Sequence, residues 1–332
     1  MTDELRNYGA LIADPKESDF RVGGVSGIEY KVVNPSGDWA DYLPTDEQQS
    51  WGWGDSFGCV SFSANNCIET ILNHQIATGI LPKADVDWLT ANGYIESGKV
   101  NLSDRYLAKM SGTTRNGNYL NTVADTLRHY GAVPEKDWNS KVDRWERYYI
   151  EVMPNVIAKG KDFAARFDIQ YEWVCAGTSN LDAIRTHLKQ APIQIATAVC
   201  SGWSTDSPVK ACEKPVQHAT TVFRVDSVVN DFDHYAPYRK QLVASYNIPY
   251  AMKYVVSPRS LASPQMDSTA MDILKKRKRK IIRNAKTGAF GYSAGDKLLV
   301  PSAERAGLLA LTVLSEASVS DEVWEKFPKE PF

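Results

Sequence analysis

The order of periodicities along these 332 residues predicts an α+β fold, helices first and an antiparallel sheet afterwards. Between about residues 59 and 130, apolar positions recur at spacings of three and four, the period of a helix with a buried face. From about 192 to 256 they fall in short runs rich in Val, Thr and Phe that partly alternate, the period of a strand. Composition agrees: 43% hydrophobic against 23% charged residues can bury a sizeable core and excludes disorder for most of the chain.

Residues 1–50 are rich in Gly, Pro and Asp and lack a helical period, so they read as an irregular leader wrapping a domain. A helix from about Cys59 to Thr78 follows, its apolar positions Val60, Phe62, Ala64, Cys67, Ile68, Ile71 and Leu72 bounded by Gly79 and Pro82. Ser103 is placed as the N-cap of a second helix through Tyr106 and Met110. A third runs from Tyr119 to Tyr130 and closes at Gly131, where a positive φ is needed. After a helix over Leu181–Gln190, strands are predicted at Pro192–Val199, Ala219–Val229 and Ala251–Val256, the last ending at Pro258. The domain is thus bounded at 51–262, helical over about 51–150 and sheet-rich over about 160–262.

Residues 263–332 differ. A polar linker at 263–269 leads into Lys275-Lys276-Arg277-Lys278-Arg279-Lys280, and a helix is expected near Ser302–Ala317. From Met271 onward there are 12 basic and 8 acidic residues, so this extension carries +4, the preceding 270 residues −6, and the whole −2. The near-zero total argues against a nucleic-acid-coating protein and sequence-specific nucleic acid as a partner, while the basic stretch 275–283 fits an acidic or virion partner. No apolar run approaches the roughly 18 to 20 residues that span a bilayer, so no membrane association is expected. The N-terminal segment Met1 to Tyr8 has no apolar core of a secretory signal, which predicts a cytoplasmic location in the producing cell, with virion association as an alternative.

The chemistry-bearing feature is Gly58-Cys59-Val60-Ser61-Phe62-Ser63. A cysteine opening a helix meets the positive end of the helix dipole and unpaired backbone N–H groups, both of which favour the thiolate. A base and an orienting carboxylate lie downstream: His218, at the start of a predicted strand, and Asp233, fifteen residues later. Their order suits a Cys-His-Asp arrangement in which the carboxylate fixes the imidazole that serves the thiol. Asp231 is the alternative orienter, since it shares the parity of Asp233 along a strand. His74, His129 and His187 lie on predicted helices and are assigned surface or capping roles, and Cys67 is assigned to the core. Cys200 and Cys212 bracket a loop before His218, where a bridge and two thiols both remain open. With no close Cys-x-x-Cys or His-x-x-x-His pair, no metal is expected, and no phosphate-binding loop or other cofactor motif is present.

On these segments the chain resembles the papain-like cysteine peptidases. Gly58-Cys59-Val60-Ser61-Phe62-Ser63 is similar to that family's nucleophile segment, and Leu102-Ser103-Asp104-Arg105-Tyr106-Leu107 to its Leu-Ser-Glu-Gln-x-Leu segment. Gly117-Asn118-Tyr119 through Gly131-Ala132-Val133-Pro134-Glu135 resembles its Gly-rich substrate loop and the helix and turn that follow. Gln217-His218-Ala219 matches its Asn-His-Ala motif. The resemblance spans about residues 1–260 and is closest to divergent forms carried by tailed phages. It implies a helical left half and an antiparallel sheet or barrel right half with the cleft between, a small C-terminal extension, and a thiol protease with peptide or protein substrates held by Gly117 and Asn118. The implied catalytic residues are Cys59, His218 and Asp233. Two departures matter: Ser56 replaces the usual upstream cysteine, and Trp53 stands where the oxyanion-donating Gln belongs. A four-residue insertion in the Gly52–Gly54 turn would let Gln49, beside Gln48, take that role. The rival implied functions are cleavage of peptidoglycan during lysis and a virion structural role on a peptidase fold.

Overall fold

The computed structural model describes residues 7–13, 28 and 31–259, then 281–284, 290–294, 297–300, 316–319 and 329–331. The chain divides into two units, Met1–Pro258 and Arg259–Phe332.

The first unit includes strand β1 (Ala10–Leu11) and a two-stranded hairpin of β2 (Ser50–Trp51) and β3 (Gly54–Asp55). Helix α1 (Cys59–Ala77) comes next, with every residue from Cys59 to His74 buried. Burial extends to all sides, including the polar Asn65, Asn66, Glu69 and Asn73, so the helix is surrounded by protein and not packed along one stripe. Helix α2 (Lys83–Ala91) and hairpin β4 (Ile95–Glu96)–β5 (Lys99–Val100) lead to α3 (Asp104–Met110), whose N-cap Ser103 accepts a 3.0 Å hydrogen bond from the Tyr106 amide. Strand β6 (Asn118–Tyr119) pairs in parallel with β1. Helix α4 (Leu120–Tyr130) buries Leu120, Val123, Ala124 and Leu127, as its spacing predicts. It stops at Gly131, φ 63°, where a side chain would run into the Gly160 carbonyl.

Helices α5 (Trp145–Tyr148) and α6 (Pro154–Arg166) complete the helical part. The sheet part comprises β7 (Phe167–Ala176), α7 (Leu181–Leu188), β8 (Ile193–Thr197), β9 (His218–Val225), β10 (Val228–Phe232), β11 (Arg239–Val243) and β12 (Tyr250–Pro258). Six of these strands form one antiparallel sheet in the order β11-β10-β9-β8-β12-β7. The α+β class expected from periodicity is therefore the class observed.

The first turn of α1 is fastened to this sheet by polar groups. Gln194 on β8 donates to the Val60 carbonyl at 2.9 Å and to Ser63 Oγ at 2.8 Å, and Thr221 on β9 donates to the Ser63 carbonyl at 3.0 Å. All these groups are buried, where leaving one unpaired costs about 1 to 3 kcal/mol, so the helix start and the first residues of β9 hold one fixed relation.

Several expectations need correction. His74 and His187 are not surface residues. His74 is buried against Trp39 and Tyr42, and His187 is buried with Nδ1 3.0 Å from Gln190 Oε1. His129 is exposed and contacts the Asp125 carbonyl of its own helix. The stretch Ala219–Val229 is two strands, β9 and β10, joined by a tight reversal. Cys200 and Cys212 are joined as a disulfide. Helices α2, α5 and α6 and strands β7 and β11 are not anticipated from the sequence.

The second unit shows five short strands: β13 (Ile281–Asn284), β14 (Phe290–Ala294), β15 (Lys297–Val300), β16 (Glu316–Val319) and β17 (Lys329–Pro331), ordered β16-β13-β14-β15-β17. Glu316 and Ala317 are therefore strand and not the end of a helix; the rest of 302–317, the linker at 263–269 and the basic run Lys275–Lys280 lie outside the described residues. Among the described residues no helix is long and apolar enough to cross a membrane.

Candidate active site

Cys59 is the first residue of α1, preceded by Gly58 as N-cap, and its side chain is buried. The fastening of α1 to β8 and β9 brings its thiol to the backbone amide of Ala219, the residue after His218. Burial pushes the Cys59 thiol well above its usual value, and the charges of Asp55 and Asp233 add to this. The Ala219 and Val60 amides oppose it. In this arrangement the thiol is neutral.

His218 is the first residue of β9. Its Nε2 lies 2.7 Å from Asp233 Oδ1, while its Nδ1, also buried, has no hydrogen-bond partner. The structure thus brings His218 and Asp233 together and does not bring Asp231 to the imidazole. Asp231 is buried on β10 near Thr220; burial, then the nearby charge of Asp233, pushes its carboxyl well up. Asp233 follows the last residue of β10, and all its acceptor capacity is used. Oδ1 also accepts from the His234 amide at 2.7 Å, and Oδ2 accepts from Trp203 Nε1 at 2.8 Å and lies 3.2 Å from Lys240 Nζ. Burial acts to raise this carboxyl, but His218 foremost, with Lys240, outweighs it and holds it below the usual carboxylate range.

His234 is buried with Nε2 2.9 Å from the Ala219 carbonyl, its ring between those of Phe62 and His218. Burial pushes it down to about 3, so it is neutral. Among the described residues, the ligand atoms of His218, Asp233 and His234 lie within 4.8 Å of one another, close enough for a metal ion. The nitrogens concerned already face Asp233 and the Ala219 carbonyl, so the set fits a hydrogen-bonded relay better than a metal centre.

Gln49 is buried beside this group. The hairpin β2–β3 is closed by the Ser56 amide donating to the Gln49 carbonyl at 2.9 Å, so the chain between Gln49 and Cys59 doubles back on itself. Trp53 stacks on Trp51 and donates from Nε1 to the Val142 carbonyl. Gln49 Nε2 is within hydrogen-bond distance of Asp55 Oδ1 (2.9 Å), the Tyr235 hydroxyl (2.7 Å) and the Tyr8 carbonyl (3.1 Å). Gly117 and Asn118 form the opposite edge, where the Asn118 amide donates to the Gly9 carbonyl at 3.0 Å. Gly117 has φ 93°, and a Cβ there would run into that same carbonyl, so the close approach requires glycine.

The described residues Tyr8, Gly9 and Ala10 of the leader therefore lie against His218, Gln217 and Asn118. The Ala10 amide donates to the Gln217 carbonyl at 3.2 Å, and the Tyr8 ring sits 5.5 Å from that of His218 and 5.8 Å from that of Tyr235. A cavity of about 430 Å³ opens alongside, lined by Tyr8, Trp203, Lys214 and Tyr235.

Sequence reasoning did not find Tyr8, Trp203, Tyr235 or Lys240. The β11 register, with Lys240 opposite Asp231, would have pointed to Lys240 had that strand been recognised. Nothing local marks Trp203, which arrives from a loop.

The chain matches no family model and no curated protein. Solved structures do resemble it. Xylellain, a cysteine protease from Xylella fastidiosa, is 13% identical over 78% of this chain and 99% of its own, with a TM-score of 0.50. The digestive procathepsin L2 proteinase of Tenebrio molitor is 13% identical over 76% and 78%, TM-score 0.49. The bromelain protease of Ananas comosus is 14% identical over 66% and 97%, TM-score 0.45. The likeness to xylellain establishes that the first unit has the papain-like fold.

Proposed function

We propose that this chain is a cysteine peptidase acting through Cys59, His218 and Asp233. The observation that carries the reading is the polarity of His218. One ring nitrogen is committed to a fully hydrogen-bonded carboxylate, the other is buried and unpartnered, and the thiol that opens α1 meets the backbone amide of Ala219, the residue next to His218. Once substrate replaces the leader, His218 Nδ1 takes the Cys59 proton and the thiolate attacks a peptide carbonyl. The developing oxyanion is met by Gln49 Nε2 and backbone amides at the start of α1. The imidazolium then protonates the departing amine, and water activated by neutral His218 hydrolyses the thioester. Gly117 and Asn118 hold the substrate backbone, as Asn118 now holds Gly9.

The test is labelling of the full chain with a thiol-directed epoxide, followed by mass spectrometry and hydrolysis of a fluorogenic peptide library. Cys59 is expected to be labelled selectively, with labelling lost in His218→Ala and hydrolysis lost in Cys59→Ala. Equal labelling of Cys59 in native and denatured chain, or hydrolysis surviving Cys59→Ala, would overturn the reading.

A further inference from the structure

The group that orients His218 is a full carboxylate buried in the protein, and the structure supplies a counter-charge for it. Lys240 on β11 is itself buried, 4% exposed. Its ammonium faces Asp233 Oδ2 at 3.2 Å, donates to the Tyr235 carbonyl at 2.7 Å and to the Pro237 carbonyl, and lies 5.8 Å from the Trp203 ring centre. Taking such an ammonium out of water costs several kcal/mol and is offset only where the geometry satisfies it, as these three oxygens do. Lys240 stands opposite Asp231 in the β10–β11 ladder, yet its ion pair is made two residues further on, with Asp233.

The consequence lies in the charge felt by the imidazole. A lone carboxylate 2.7 Å from Nε2 stabilises the imidazolium and opposes its release of a proton. The other ionisable groups around the site are Cys59 on α1, Asp55 on the β2–β3 hairpin, Asp231 on β10, His234 and Tyr235 after it, and Tyr8 of the leader. Burial raises the Asp231 carboxyl and lowers His234 to about 3. Apart from His218 itself, Lys240 is the cation in ion-pair contact with Asp233.

We propose that Lys240 is a positioning residue whose buried ammonium neutralises Asp233 and thereby sets the pH window in which His218 can both accept and give up a proton. This rests on the peptidase reading above. It makes Asp233 and Lys240 one exchangeable unit, equivalent in net charge to a neutral pair.

The experiment measures kcat/KM against pH for wild type, Lys240→Gln, Lys240→Arg, Asp233→Asn and the double variant Asp233→Asn/Lys240→Gln, with circular dichroism confirming the fold of each. Lys240→Gln keeps a donor for the two carbonyls but removes the charge. Both limbs of its profile are expected to move to higher pH by about one to two units, the scale of a charge interaction at a few ångströms in a partly screened interior. Lys240→Arg should keep the wild-type profile even at a reduced rate. Asp233→Asn leaves Lys240 unpaired, so adding Lys240→Gln should recover at least about tenfold of the lost activity instead of compounding the loss. An unshifted profile in Lys240→Gln, or a double variant whose losses simply multiply, would overturn the proposal. Absence of wild-type hydrolysis and of Cys59 labelling would instead remove the peptidase reading beneath it.

Discussion

The Tyr8 carbonyl accepts a hydrogen bond from Gln49 Nε2 at 3.1 Å, and the ring of the same residue covers the His218 imidazole. On the proposed mechanism, one residue of the leader thus occupies both the place assigned to the oxyanion and the approach to the base. Tyr8→Ala should uncover the site: alkylation of Cys59 by iodoacetamide at neutral pH is expected to quicken by about tenfold. Rehydrating the thiol also favours its ionised form, so its titration, followed by thiolate absorbance, should move to lower pH. Unchanged alkylation would show that the leader does not limit access.

Gln49 is expected to act on the rate and not on binding. Removal of one oxyanion donor costs about 10² to 10³ in kcat in comparable sites. Gln49→Ala should fall in that range with KM within about threefold of wild type. A loss confined to KM would place Gln49 in substrate binding.

The protein should lose stability as the pH rises from about 4 to 8. Asp104 and Glu135, the latter hydrogen-bonded to Ser140, lie with Glu47 on one cavity, and Glu69 joins this acidic group. Burial, then the charge of Asp104, pushes Glu135 up to about 8, and burial pushes Asp104 up to about 6. A carboxyl raised above its unfolded value, near 4.3 for Glu, keeps a proton on folding that the unfolded chain releases. The stability is therefore present at low pH and declines between about pH 4 and 8. Thermal melts should show Tm falling over this range, each kcal/mol being worth about 2 to 4 °C at this size. Glu135→Gln should flatten the decline, and an unchanged slope would exclude Glu135 as its source.

The bridge between Cys200 and Cys212 encloses the loop that carries Trp203 to Asp233. Closing a loop of this length contributes about 2 to 3 kcal/mol through the unfolded chain. Cys200→Ser/Cys212→Ser should lose about that much in urea unfolding and lose kcat as Trp203 loosens. Equal stability of the bridged and unbridged forms would contradict this.

The helices that frame the site were legible because their signals are local: the capping hydroxyl of Ser103, the positive φ of Gly131, the Gly58-Cys59 start. Helix α6 was harder to see, since Gly160 breaks its pattern while serving close packing against Tyr106 and Tyr130. The residues around Asp233 were legible only in part. Trp203 and Lys240 reach it from a loop and a strand whose alignment depends on the finished sheet, and Tyr8 arrives from a leader with no period at all. The polar helix faces misled about His74 and His187, which packing against Trp39 and hydrogen bonding to Gln190 draw inward.

The Ser50–Asp55 hairpin has one more consequence. Because the Ser56 amide closes it onto the Gln49 carbonyl, the distance from Gln49 to the nucleophile is set where the two strands meet and not by how much chain runs between them. Its outer end, Gly52 and Gly54, has open space around both glycines. The tip is a natural point for lengthening, shortening or tagging the protein within a few residues of the chemistry. It also separates the spacing of a motif in sequence from the spacing of its atoms in space.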